Sequence, residues 1–473
     1  MTTPKSFPEE LLKTLAQYHQ AHLVHWWEEL DERQQDELTS QIQLIDFAQI
    51  QRLYSPTHPQ KTEESPAQKA ERATHPATVI RLQDRAQSAP ETAQAVQAGN
   101  QLLAEGKVGA ILVAGGQGSR LGFEHPKGMY PVGPVKQTSL FQILVEQLIA
   151  RSRNAGKPIC YFIMTSDATH AETVTYFNEH QNFGLQAEQL YFFKQGTMPA
   201  VDEQTGEILL EEKHRIAVSP DGHGGMLAAL KKSGLFEVMQ AKGIEYLYYH
   251  QVDNPTAIVC DPEFLGYHLQ RAAEVSVKVV SKRSPDEKMG IVCDVDQKTQ
   301  IIEYSDLPDH IAELTDKDGN LLHWAGSTAI HIFNRAFLEQ IANDDGLLPF
   351  HQAYKKVPFI DSTGDQVSPD EPNAIKFERF IFDVLPVAET VLVYEIDRLR
   401  EFNPLKNADG PDSPQTVNAA LCRIHGQWLT ACGVEIAEGT PVEISPLIAL
   451  DESELKTRIS PDDQFTAPIY LGE

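Results

Sequence analysis

The sequence predicts an α/β fold built on a mixed, mainly parallel sheet, and three observations carry that prediction. Apolar runs of strand length, Val108–Val113, Pro158–Thr165 and Leu190–Phe193, alternate with helical stretches at 140–149 and 167–179. That alternation lays strands side by side and covers both faces of the sheet with helices. The first run stops at a glycine loop, 114–122, followed by Pro126 and Lys127, and a later strand, 244–252, stops at Asp253-Asn254-Pro255. Loops of this kind, at the carboxyl ends of strands, are where open α/β sheets bind ligands.

Taken in order, the chain opens with Ser6, Pro8 and Glu9, which read as a helix start closed by a capping box. Leu11, Leu12, Leu15, Tyr18, Leu23 and Trp26 recur at helical spacing, and a second helix starts at Asp31 with Gln34 behind it. The first fifty residues are therefore expected to be helical and to pack as a cap on the main domain. From Ser55 to about Ala77, prolines, threonines and charges replace apolar residues, which predicts a surface loop or linker. A helix from Glu91 to Ala104, with Pro90 just before it, leads into the Val108 strand. Further on, Gln300–Asp306 reads as a strand, Trp324–Phe333 as a strand entered through a small-residue bend, and 376–384 as a helix with Phe377, Phe380, Ile381 and Val384 on one face.

Composition narrows the function classes. A length of 473 residues allows about three domains. The formal charge of −27 disfavours a nucleic-acid binder, which would show a basic stripe, and any anion site must be built from local cations against the global field. Five scattered cysteines, with no C-x-x-C pair, read as reduced core thiols. The N-terminus lacks the layout of a signal peptide and no run has membrane-span length, which gives a cytoplasmic expectation with no membrane partner.

The glycine loop carries the chemistry. Gly115, Gly116, Gly118 and Gly122 let the backbone turn its N–H groups towards an anion, and Arg120 and Lys127 supply a planar fork of donors and a point charge. It is not a Walker loop, because Gly128 and Met129 follow Lys127, and it fails the dinucleotide fingerprint, which excludes a nicotinamide oxidoreductase. Gln195, just past a strand, offers the donor and acceptor that the edge of a uracil ring requires, or is an ordinary loop glutamine. In Ser219-Pro-Asp-Gly-His-Gly-Gly225, His223 either donates to a sugar or phosphate oxygen or fills the turn. Asp253 is placed to hold magnesium, or to cap a turn. Glu303 and Tyr304 end a strand with groups suited to sugar hydroxyls, while Lys376 stands at the edge of a helical face whose aromatics are most simply core, and Lys406 lies in a loop, where cations are usually solvated and functionally silent.

These segments occur together in one order: 112–122, 125–130, 220–225, 252–254, 302–305, 380–384, 402–409 and 443–447. Over residues 75 to 470 the chain resembles the UDP-N-acetylglucosamine pyrophosphorylase family, within the UTP:sugar-1-phosphate uridylyltransferases. The resemblance implies a helical N-terminal region (1–95), a Rossmann-like, GT-A-like nucleotidyltransferase domain (96–385) and a smaller C-terminal domain (386–473). It implies that Val113, Ala114, Gly115 and Gly116 line the uridine and phosphates, that Gln195 and Gly222 hold the base, and that Asp253 binds Mg2+. Arg120, Lys127, Lys376 and Lys406 match the family's basic residues around the phosphates. Gly290, Glu303, Tyr304, Phe380 and Phe382 match its sugar side, together with His223 and Ser327, where the family usually has asparagine.

The implied substrates are UTP and a sugar 1-phosphate, with UDP-N-acetylglucosamine and pyrophosphate as products. The two departures make a UDP-glucose or broad UDP-sugar pyrophosphorylase the alternative. A non-catalytic UDP-sugar sensor is the alternative of another class, and retention of Asp253 and Lys127 argues against it.

Overall fold

The computed structural model describes residues 6–54, 66–344, 346–461, 463 and 465–472. They form two compact units, one drawn from Met1–Glu64, Gln195–Met226 and Leu348–Ile381, the other from Ser65–Lys194, Leu227–Leu347 and Phe382–Glu473.

The larger unit holds a ten-stranded mixed sheet. In chain order its strands are β1 Val79–Ile80, β2 Val108–Val113, β3 Cys160–Thr165, β4 Leu190–Lys194, β5 Tyr246–Gln251, β6 Val275–Ser281, β7 Ile291–Val295, β8 Lys298–Ile302, β9 Ala325–Asn334 and β10 Val391–Glu395. The main path runs β1-β10-β6-β9-β5-β2-β3-β4, and the β7–β8 hairpin joins it through β9. Two parallel blocks, β1-β10-β6 and β5-β2-β3-β4, flank β9, which is antiparallel to both neighbours. The carboxyl ends of both blocks and the amino end of β9 therefore share one edge.

The central strands are apolar on both faces because helices cover both. Every side chain of β3 is buried, as are Ala110, Ile111 and Leu112 of β2. The helices Leu140–Ala155 and Asp167–Glu179 lie where the 3.6-residue spacing puts them. The helix Ala89–Ala104 carries Pro90 in its first turn, where no N–H is missed. It meets Pro262–Gln270 at backbone distance: a Cβ on Gly99 would stand 1.9 Å from the Pro262 carbonyl oxygen, and one on Gly266 1.7 Å from that of Ala95.

In the smaller unit, the helices Glu9–Gln17, Glu32–Gln43 and Phe47–Tyr54 bury Leu15, Leu38, Ile42 and Ile50 against Val201, Ile208, Ile216, Ile375 and Phe377. The expected box at Asp31 forms, with the Gln34 N–H donating to Asp31 at 2.8 Å and the Asp31 N–H to Gln34 at 3.1 Å.

Three expectations are corrected. The first helix is capped by Pro8 without a side-chain bond, so Ser6 and Glu9 form no box; the fixed φ of proline starts the helix instead. Within the expected 55–77 loop, 55–65 lie outside the described residues, but Pro66–Glu71 is helical. Ala70 is buried against Ile291, Cys293 and Ile302, and Thr74 exchanges backbone bonds with Asp294. Finally, 376–384 is not a helix. Ala374–Glu378 is a strand paired with His351–Lys355 and with Val201, and the 3-10 segment Ile381–Val387 follows. Ile375 and Phe377 alternate with the more exposed Lys376 and Glu378, a period of two that the phenylalanine spacing masks.

The cysteines are free thiols, with Cys160, Cys260, Cys293 and Cys432 buried and Cys422 half-buried, as expected.

Candidate active site

The loop after β2 is closed on itself. The Gly118 N–H donates to the His125 carbonyl at 2.9 Å and the Lys127 N–H to that of Gly116 at 3.0 Å. Gly122 adopts φ 66°, the left-handed turn that its lack of a side chain permits, after the 3-10 turn Ser119–Leu121. From outside the loop, the Ser166 hydroxyl holds the Gly115 carbonyl at 2.8 Å. Val113 and Gly115 are half-buried, Ala114 is buried, and Gly116 is exposed with open space where a Cβ would stand. A ligand can approach this backbone closely. Arg120 is exposed on the same loop.

Asp253 lies two residues beyond β5, whose neighbour is the glycine-loop strand; the Val252 N–H donates to the Val113 carbonyl at 3.1 Å. Its carboxylate is half-exposed, with no hydrogen bond or ion pair among the described residues. A chain segment remote in sequence is stitched to this tip. The Leu405 N–H donates to the Asp253 carbonyl at 2.8 Å, and the Lys127 ammonium reaches the Leu405 carbonyl at 3.3 Å. Asn254 donates to the Glu401 carbonyl at 2.8 Å and accepts from the Asn403 N–H at 3.2 Å. Lys127, Asp253 and the segment carrying Lys406 are thus brought together at the glycine-loop edge. Lys406 is half-buried, its ammonium 5.7 Å from the Phe402 ring.

Behind this segment sits a buried cation. Lys278 of β6 is fully enclosed, with its Nζ 2.7 Å from Asp261 and 2.6 Å from Glu401. Burial alone would lower its pKa, but the two carboxylates more than offset it and the ammonium is held charged.

A second group forms around β8 and β9 in the same unit. The Ser327 N–H donates to the Gly290 carbonyl at 2.9 Å, and a Cβ on Gly290 would stand 3.1 Å from a Glu303 carboxylate oxygen. Gly290, Glu303 and Ser327 are therefore neighbours. Ala329, with φ 57°, marks the expected bend in β9, and its N–H donates to the Ser327 hydroxyl at 3.3 Å. Tyr304 is exposed in the turn after β8, and Phe382 is half-buried near the start of Ile381–Val387.

The smaller unit carries the other predicted residues. Gln195 is 9% exposed, and its amide has no partner among the described residues. Gly222 has φ 82°, and a Cβ there would stand 2.3 Å from the Arg379 carbonyl oxygen; the Gly224 N–H donates to that oxygen at 2.8 Å. His223 accepts the Ile381 N–H through Nδ1 at 3.2 Å and lies 5.5 Å, ring to ring, from Phe380. Burial pushes its pKa down to about 4, so it is a neutral ring that pins the turn. Lys376 is half-buried on its strand.

Asp221, which sequence reasoning passed over, sits at the centre of this turn. Gly196 and Gly225 leave it room, since a Cβ on either would stand 2.5 Å or 2.0 Å from its carboxyl oxygens. Burial pushes its pKa up to about 6 from an ordinary 3.8, only partly offset by Arg379. The folded chain thus holds this proton more tightly than the unfolded chain. The contribution to stability is complete below about pH 4 and is lost as pH rises through about 6. Asp221→Asn is expected to raise stability at neutral pH by roughly 2–3 kcal/mol relative to the parent, the gap shrinking towards about pH 4. Urea melts of both proteins across that range read the difference, and a gap that does not depend on pH would contradict it.

Asn254, Asn403 and Ser166 also went unread. Each acts through partners far away in sequence, and only the Asp-Asn pair at a strand end hinted at one of them.

Comparison with known proteins gives the family. A model of the UTP–glucose-1-phosphate uridylyltransferase family matches residues 48–460. The chain is 34% identical over 499 residues to UDP-N-acetylglucosamine diphosphorylase 2 of Arabidopsis thaliana, covering 99% of this chain and 95% of that protein. It is 39% identical over 362 residues to the UDP-N-acetylglucosamine pyrophosphorylase of Saccharomyces cerevisiae, covering 73% and 75% of the two. The solved structure of the uridine diphosphate N-acetylglucosamine pyrophosphorylase from Trypanosoma brucei superposes with a TM-score of 0.82 at 27% identity, over 100% of this chain and 99% of that one. A glycine loop, an acidic strand tip and two lysines gathered at one sheet edge, in a chain matched over most of its length, lead to one assignment: the chain belongs to the UTP–glucose-1-phosphate uridylyltransferase family.

Proposed function

We propose that the protein transfers the uridylyl group of UTP to N-acetylglucosamine 1-phosphate, forming UDP-N-acetylglucosamine and releasing pyrophosphate. The observation that carries this reading is the stitching of Lys127, Asp253 and the Lys406 segment at the glycine-loop edge. Two anionic reactants must meet there, in a chain of formal charge −27, so the chemistry is positioning and local charge neutralisation. A phosphate monoester is already ionised near neutral pH, and the nucleophile needs no base.

In this reading the backbone of Val113–Gly116 lines the uridine and phosphates, while Gln195 and Gly222 hold the base. Arg120 and Lys127 stabilise the departing pyrophosphate, and Lys376 and Lys406 hold the sugar phosphate or the α-phosphate. His223, Gly290, Glu303, Tyr304, Ser327, Phe380 and Phe382 form the sugar side. Asp253 fits Mg2+: it is a lone, unpartnered carboxylate, and no cluster of three or more His, Cys, Asp or Glu suited to a metal occurs among the described residues. Magnesium accepts such a site, taking one carboxylate from the protein and its other ligands from phosphates and water. When bound, it would supply charge neutralisation on the phosphates.

The names of the relatives support N-acetylglucosamine as the sugar. His223 and Ser327, where the family usually has asparagine, favour the second reading, a UDP-glucose or broad UDP-sugar enzyme. Pyrophosphate release from UTP with Mg2+ is the test, using 1-phosphates of N-acetylglucosamine, N-acetylgalactosamine, glucose and galactose. The first reading expects the N-acetylglucosamine compound to give the highest kcat/KM, and glucose 1-phosphate as the best substrate would establish the second. With His223→Asn and Ser327→Asn combined, the ratio of N-acetylglucosamine to glucose turnover is expected to rise. An unchanged ratio would remove these positions from specificity.

No helix among the described residues is long and apolar enough to cross a membrane.

A further inference from the structure

The larger unit contains a second cleft, with a cavity volume of about 80 Å3 and partly open to solvent, lined by none of the residues assigned above. One wall is helix Leu140–Ala155, with Arg151; the opposite wall is helix Pro414–Ala431, with Ile424 and Trp428; Arg400 stands at the rim.

The hydrogen-bonding capacity of this cleft is unbalanced. Glu146 is taken by the Gln142 amide at 2.7 Å and the Ser445 hydroxyl at 2.6 Å. Glu443 accepts the N–H groups of Val135 and Lys136, both at 2.7 Å, and the Thr138 hydroxyl. His425 accepts the Ile444 N–H at 3.2 Å and, with its pKa pushed down to about 4 by burial, is neutral. The acceptors are therefore satisfied, while the donors are not. The Nε of Arg151 is shielded from water with no partner, and neither guanidinium, Arg151 or Arg400, makes a side-chain hydrogen bond or ion pair among the described residues. Both cations feel the buried Asp261 carboxylate, but that carboxylate is hydrogen-bonded to Lys278 and neither guanidinium has a hydrogen bond of its own; planar forks of this kind match oxyanions.

We infer that this cleft is a binding site for an oxyanion-bearing small molecule with an apolar or ring body, the oxyanion on Arg151 and Arg400 and the body against Ile424 and Trp428. It is distinct from the uridylyl-transfer site, although Pro255 and Thr256, which follow Asp253 in the chain, also line it. An occupant would touch the strand tip from behind.

Anilinonaphthalene sulfonate, an oxyanion on an apolar ring system, is a suitable probe. It would be titrated by fluorescence into the intact chain with and without saturating UTP. Binding is expected to survive UTP, and to weaken by about tenfold or more in Arg151→Met, the scale of losing a charged hydrogen-bonding partner. Trp428→Ala is expected to weaken it as well. Arg400→Met, at an exposed position, keeps the test open should Arg151→Met fail to fold. Complete displacement of the probe by UTP, or undiminished affinity in both arginine variants, would overturn the inference.

Discussion

Asp253→Ala and Lys127→Ala are each expected to lower turnover by at least about a hundredfold, the scale for losing one preorganised charge stabiliser. The two residues act on the same charge problem from opposite sides. Asp253 offers an unpartnered carboxylate for a cation, while Lys127, tethered to the Leu405 carbonyl at 3.3 Å, offers a fixed positive charge. Neither packs a core, so the variants should fold. Steady-state kinetics with UTP and the sugar 1-phosphate, alongside denaturation curves, separate loss of chemistry from loss of structure. Near-parental turnover in either folded variant would remove that residue from the mechanism. Losses confined to KM would mean that it binds substrate and transition state alike.

Lys278→Met should have the largest effect on stability, about 3–5 kcal/mol, because it strands two carboxylates in the interior without their hydrogen-bonded counter-charge, leaving only the more distant Arg85, Arg151 and Arg400. Asp261 and Glu401 now share this ammonium at 2.7 and 2.6 Å, and the ion pair holds the Asp261 carboxyl below its usual range despite burial. A variant that also replaces Asp261 and Glu401 with Leu should recover part of the loss, since an apolar substitute for a buried ion cluster is often neutral. Urea denaturation measures both. Equal stability of the single variant and the parent would show that the cluster contributes nothing. Glu401 also presents its carbonyl to Asn254, so the single variant is expected to lose turnover under conditions where it remains folded.

Part of the larger unit was legible in the sequence, because β2 to β5, β8, β9 and the helices Leu140–Ala155 and Asp167–Glu179 carry their own periodicity, while Val275–Ser281, Ile291–Val295, Val391–Glu395 and the helices Pro262–Gln270 and Pro414–Ala431 went unread. The helix Asp167–Glu179 begins and ends where the pattern does, and the glycine loop announces itself by composition. The smaller unit was harder to read. Its strands are as short as Val201–Asp202 and Arg215–Ile216, too brief for alternation to register, and the phenylalanines after Lys376 imitate a helical face. Among the site candidates, the glycine loop, Lys127 and Asp253 could be named from local chemistry, whereas Lys406, locally an ordinary loop cation, could be named only through the family resemblance. What joins them could not, because Asn254 meets Glu401 and Asn403 only after the chain has returned across the sheet. Asp221 escaped notice for a related reason: its burial depends on Gly196 and on Arg379, neither of which stands near it in sequence.

The pairing of β1 with β10 sets an order of events during synthesis. Strands β2 to β5 emerge together and can join as one block, each beside a neighbour already made. The strand β6, however, takes β10 as its outer neighbour, and β1, among the first strands to leave the ribosome, has no other strand partner than β10 among the described residues. Until Val391–Glu395 appears, β6 presents an open edge of unpaired backbone groups, and the 79–80 segment has nowhere to dock. Closure over so long a chain costs entropy that no local contact repays. The half of the sheet that carries the glycine loop can therefore be built while the protein is still growing, and the half that frames Lys278 is completed only near the end.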